Sequence, residues 1–186
     1  MAVNTPFEDL MTDSRTTMRA PEKWIAVLRM VVGAWFFKSI VTKIGIGLLG
    51  GFIPVPVASA RWQAVMPKLI AKYAADNPFP SYKAFLLDTV VPHSHVFATL
   101  TALGEVGIGI ALLFGLLTRL GAVFGLIQVL FYGFAVQQQS SGQQGFHVML
   151  FAMMVVFLYA CAGRKWGVDV WLRARWPQSR LVRLLT

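Results

Sequence analysis

One carboxylate and three cations stand inside otherwise apolar runs of this chain: Glu105, with Arg29, Lys38 and Lys43. A charge at the centre of a bilayer costs about 2.5–3.5 kcal/mol, so such groups face a protein interior or a polar cavity and pair there. Seven-residue spacing places Arg29, Phe36 and Lys43 on one helical face. Lys38 points about 180° from Arg29, at about 100° per residue. Counting a rise of about 1.5 Å per residue from the outer helix ends puts Lys43 at roughly 9 Å depth, Lys38 at roughly 16 Å and Glu105 at roughly 13 Å. Either lysine could reach Glu105 by depth, and the helical face favours Lys43. The pair could fix helix register, or it could handle protons and bind a ligand. Without a good partner, burial would instead favour a neutral, protonated carboxyl.

The histidines are His93, His95 and His147, with Gln143 and Gln144 close to the last. At the start of a fourth helix His147 could cap the helix or hydrogen-bond a quinone carbonyl. His-x-His spacing alone is weak support for a metal, and haem would need histidines facing each other within a bundle. No metal site is expected. Candidates for hydrogen-bonding and proton chemistry are therefore Glu105, Lys43 and His147, and a quinone would be held by His147 and Glu105. No motif for flavin, haem, iron–sulfur or copper is recognisable, so the chain shows no electron carrier of its own. Cys161 is the single cysteine, which excludes an intrachain disulfide or a CxxC pair and suits a small apolar packing residue.

These residues need elements to position them, and composition says which. The chain has 186 residues, 56% apolar and only 13% charged, with mean hydropathy +0.62. A soluble domain carries about a quarter charged residues, so most of this surface must face lipid. Four apolar runs, at about 24–49, 96–117, 120–136 and 146–162, approach the roughly 20 residues a helical span needs. The predicted fold is all-α: an integral membrane four-helix transmembrane bundle. A long outer loop, 50–95, should contain short amphipathic helices at 60–75 and 82–91. Gly107, Ala111 and Gly115, and the pair Gly121 and Gly125, offer small-residue packing faces. Residues 137–145 form a polar turn, 1–23 a tail without a signal peptide, and 163–186 a basic tail with an interfacial helix near Trp166–Trp176.

The net charge of +9 would suggest nucleic acid in a soluble protein. Here the cations flank spans, which points to membrane lipid as the partner and away from nucleic acid. Arg15, Arg19, Lys23, Arg119 and the basic tail outnumber Arg61, Lys68, Lys72 and Lys83 across the membrane. Both termini are then expected in the cytoplasm, in a bacterial or archaeal inner membrane.

Several stretches resemble a known family. Arg29-(x)3-Gly33-(x)2-Phe36-(x)6-Lys43 is similar to the first helix of DoxX/DoxD membrane proteins. Gly104–Leu126, GEVGIGIALLFGLLTRLGAVFGL, is similar to their second signature, and Gly163–Asp169, GRKWGVD, resembles their closing motif. The long loop after helix one favours the DoxD-like branch. That resemblance implies a four-helix bundle working beside a redox enzyme, as does the small subunit of a thiosulfate:quinone oxidoreductase with its soluble DoxA partner. Two functions follow as expectations: a quinone-linked subunit, or a non-catalytic accessory subunit that anchors or stabilises a larger respiratory or photosynthetic membrane complex. No internal repeat is evident, which leaves little machinery for a transporter.

Overall fold

A computed structural model describes residues 21–136 and 138–186. Arg15, Arg19 and most of the expected 1–23 tail lie outside the described residues, as does Gln137. Helix α1 is Pro21–Phe37, and a one-turn continuation, α2, is Ser39–Thr42. A hairpin follows, β1 Ile44–Leu49 and β2 Ile53–Ala58, then α3 Ala60–Ala75, α4 Pro80–Ala84 and a π-helical turn at Phe85–Val90. The remaining long helices are α5 Ser94–Phe114, α6 Thr118–Val136 and α7 Ser141–Tyr159. Short helices α8, Val168–Arg175, and α9, Arg180–Leu185, close the chain.

Among the described residues, four segments are long and apolar enough to cross a membrane: Pro21–Thr42, Ser94–Phe114, Thr118–Val136 and Ser141–Tyr159. At about 1.5 Å per residue they reach the roughly 30 Å of a hydrocarbon core. The protein is an all-α multi-pass membrane bundle carrying one small hairpin. Its spans pack in sequence, α1 on α5, α5 on α6 and α6 on α7, around Phe36, Leu112, Val129, Leu150, Met154 and Phe157. The second span closes where Gly115 turns left-handed at φ 64°, and only Leu116–Leu117 separates it from the third.

Helix one ends earlier than its hydropathy suggests. The expected helix over 24–49 stops at Thr42, and Ile44–Leu49 is a strand paired from Ile44↔Ala58 to Leu49↔Ile53. Alternating Ile and Gly is a poor helix, and the facing IPVPVA cannot be one, since proline lacks the N–H. Gly50 and Gly51 make the turn at φ 64° and 85°, values that residues with a Cβ rarely adopt. Helix four is shifted the other way. Instead of 146–162 it spans Ser141–Tyr159, because Ser140 caps it by accepting from the Gln143 N–H. Half of the expected polar turn is therefore helix, and His147 lies well inside the span.

The helix expected at 60–75 is α3, N-capped by Ser59. It docks on the bundle through Trp62, Met66, Ile70 and Tyr73, whereas Val65 is exposed. Close helix approach uses the expected Gly121 and Gly125 and adds Gly33 and Gly109, while the expected Gly107 takes no part. A Cβ on Gly33 would collide with the Leu113 backbone, and one on Gly109 would meet the Phe37 backbone, whereas one on Gly107 would meet nothing within 4 Å. Gly121 abuts Ala111, and Gly125 abuts Met154.

Candidate functional site

The contacts Gly33–Leu113 and Gly109–Phe37 fix a stagger in which the end of the first span stands opposite the middle of α5. The observed helix ends, Thr42 and Ser94, are therefore not level, although the stagger itself agrees with the sequence estimate, which set 49 level with 96. Lys43 is the C-cap residue of α2, while Glu105 is midway along α5, and the stagger brings the two together. Lys43 Nζ lies 2.6 Å from Glu105 Oε1, so the expected partner is the one found. Lys38 turns outward, its Nζ 3.2 Å from the centroid of the Trp35 ring.

Two further groups complete the carboxylate's shell. The Tyr132 hydroxyl of α6 donates to Oε1 at 2.7 Å, and Ser39 Oγ donates to Oε2. Gln128, one turn before Tyr132, donates to the phenol oxygen at 3.2 Å and to the Thr101 carbonyl at 3.2 Å. On the far side of the lysine, the Trp62 ring of α3 stands with its centroid 4.3 Å from Nζ. A cation against an aromatic face loses less on desolvation than one against aliphatic carbon. Glu105 and Ser39 are buried.

Ser39, Lys43, Trp62, Glu105 and Tyr132 line a cavity of about 490 Å³ roofed by α3 and bounded by α2, α5, α6 and α7. His147 and Gln143 of α7 line the same cavity. His147 Nδ1 is 2.8 Å from the Gln143 carbonyl. A carbonyl only accepts, so that bond places a proton on Nδ1 and leaves Nε2 to meet a ligand. All three residues singled out in the sequence, Glu105, Lys43 and His147, thus share one cavity. His93 and His95 do not; both are exposed on the first turn of α5 and its approach. No three His, Cys, Asp or Glu side chains cluster as metal ligands among the described residues. Sequence reasoning missed Ser39, Trp62, Gln128 and Tyr132. Gln128 and Tyr132 carried a signal, being polar groups at i and i+4 on a span that is otherwise almost wholly apolar.

A second buried cluster lies at the opposite end. Arg29 is fully buried, donating to the Leu112 carbonyl at 2.5 Å and the Trp166 carbonyl at 3.2 Å. Asp169, also fully buried, is electrostatically coupled to it. Its carboxylate accepts from the Leu117 N–H at 2.6 Å and the Thr118 N–H at 3.0 Å. Asp169 thereby caps α6 from a distance and straps the C-terminal segment to the α5–α6 junction. These contacts tie the first span, the α5–α6 junction and the C-terminal segment to one another, as a structural clamp does.

The family model described as DoxX matches residues 24–138, more than half of the chain. No curated protein and no solved structure matches it.

Proposed function

The chain belongs to the DoxX family, and from that premise we propose that it is a membrane subunit of a quinone-linked redox complex, holding the quinone ring in the Glu105 cavity. The observation that carries this reading is a carboxylate flanked by an ammonium, a phenol and a serine hydroxyl in a cavity of about 490 Å³. Ligand sites commonly have this size and this pairing of apolar walls with a few convergent polar groups. Reducing a quinone to a quinol takes two electrons and two protons. The electrons would come from a partner subunit, of the soluble DoxA kind if the assembly is thiosulfate:quinone oxidoreductase-like. Lys43 or Tyr132 would hydrogen-bond one quinone oxygen and His147 Nε2–H, when protonated, the other, and the two protons would be drawn from water by way of these groups and Glu105. The orientation that suits this chemistry has both termini in the cytoplasm of a bacterial or archaeal inner membrane.

Glu105→Gln and His147→Ala test the site. Each is expected to lower quinone reduction by about 10²-fold or more, the usual worth of a positioned acid or base, while the complex still assembles. Unchanged turnover in both variants would leave the accessory role. One feature favours that second reading: both Glu105 oxygens are already satisfied within the chain, as in a lock between α2, α5 and α6. An accessory subunit should bring a constant set of larger subunits through a gentle detergent pull-down, and isolation without partners would count against it.

A further inference from the structure

The two edges of the β1–β2 hairpin differ in character. Ser59 N–H donates to the Lys43 carbonyl, which with the register sets the bonded pairs at Gly45–Val57, Gly47–Val55 and Leu49–Ile53. The positions whose N–H points away from the partner are then Pro54, Pro56 and Ala58 on β2. Two of these have no N–H, and Ala58 donates to Thr99 Oγ1 at 3.4 Å, so the β2 edge is sealed. On β1 the outward positions are Ile44, Ile46 and Leu48. Among the described residues no hydrogen bond reaches that edge. Ile46 is 82% exposed and Leu48 63%, and no charged residue occurs from 44 to 60. In hydrocarbon the backbone groups of this edge would be unsatisfied, and in water its side chains would be exposed. Another strand meets both demands at once.

We propose that the β1 edge pairs with the same edge of a second copy of this chain. An antiparallel two-fold centred on Ile46 sets Ile46 against Ile46 and Ile44 against Leu48, and each pair exchanges two N–H···O bonds. Gly45 then faces Gly47 in the closely approaching pairs, where the absence of a side chain on both strands lets the backbones meet. Rows of donors and acceptors on the two copies are complementary by symmetry, and such a contact uses one patch on both molecules. Sealed β2 edges stop the sheet at two copies. Charge points the same way: the edge carries none and the neighbouring Lys43 is neutralised by Glu105. Two copies therefore meet without repulsion, while an acidic or basic segment finds no counter-charge. Because β1 begins directly after Lys43, the pairing also steadies the backbone that presents this lysine to the cavity.

Cross-linking of the full chain in membrane vesicles tests this in a Cys161→Ser background. Ile46→Cys is expected to form a disulfide-linked dimer, since Cα atoms of a hydrogen-bonded antiparallel pair are about 5.5 Å apart and within disulfide reach. Leu48→Cys should not link to itself, but should link when mixed with Ile44→Cys. Ile46→Pro removes only the outward donor, as Pro56 does across the ladder, and should turn a two-copy mass in lipid nanodiscs into a one-copy mass without lowering the unfolding temperature. A one-copy mass for the unaltered chain overturns the proposal. So does equal self-linking of Ile46→Cys and Leu48→Cys, or linking of Ile46→Cys to a different protein.

Discussion

Glu105 accepts from Lys43, Tyr132 and Ser39 together, so replacing it with alanine strands an ammonium and two hydroxyls. Breaking a buried pair costs about 3–5 kcal/mol, and the partly exposed lysine end draws this toward the lower figure. Combining Lys43→Met with Glu105→Gln removes both charges and leaves an amide oxygen for Tyr132 and Ser39. Thermal unfolding in detergent micelles should show the alanine variant strongly destabilised and the double variant close to the parent. Ligand binding should be lost in both. Tyr82 gives a second test at this scale. Its hydroxyl donates to the Phe131 carbonyl at 2.7 Å, and burial pushes its pKa from 10.0 up to about 12. A raised acid pKa means the folded state holds the proton more tightly, so this stabilisation is complete below pH 10 and disappears as pH rises through about 12. Tyr82→Phe should cost about 0.5–1.5 kcal/mol near neutral pH and flatten the alkaline limb of the stability curve.

Among the elements, the stagger of α1 against α5 decides where the site can form. Gly33→Ala and Gly109→Ala each put a methyl against the backbone of the other helix; overpacking of this kind costs about 1–3 kcal/mol. Gly107→Ala meets open space and should stay within about 0.5 kcal/mol of the parent. If all three glycines respond alike in unfolding measurements, the stagger is not what holds the pair together. Asp169→Ala removes the acceptor for two N–H groups at the start of α6 and leaves Arg29 without its counter-charge. A loss on the order of 3 kcal/mol should appear with proteolysis beginning in the 160–175 segment. The second and third spans were legible to within a few residues, since each is a continuous apolar run bounded by turn residues. Helix one was not, because IGIGLL is equally apolar as helix or strand, and its partner IPVPVA decides between them only once the chain folds back.

For the whole molecule, four apolar spans require an even number of crossings, so residue 21 and the C-terminal segment sit at one end. The clamp of Arg29 to the Lys165–Trp166 backbone agrees. With the positive-inside distribution of cations, Gln178→Cys in a Cys161→Ser background should be labelled from the cytoplasmic side by an impermeant reagent. Gln139→Cys should be labelled only from the other. The reverse pattern would place the Glu105 cavity nearer the cytoplasm and redirect its protons. Exposed Trp166, Trp171 and Trp176 beside arginines of α8 and α9 suit the headgroup level at that end of the bundle.

Scarcity of charge was enough, read from the residues alone, to establish a membrane bundle, because hydration of so few ionic groups cannot carry a soluble surface. Helical periodicity was likewise enough to single out Lys43 over Lys38, since angle around a helix is a local property. Depth is not local. Only packed backbones, brought into contact at Gly33 and Gly109, set the end of the first span against the middle of the second. That contact, with the third span lying alongside, is what assembles Ser39, Tyr132 and Trp62 around a carboxylate whose neighbours lie up to 66 residues away in the chain.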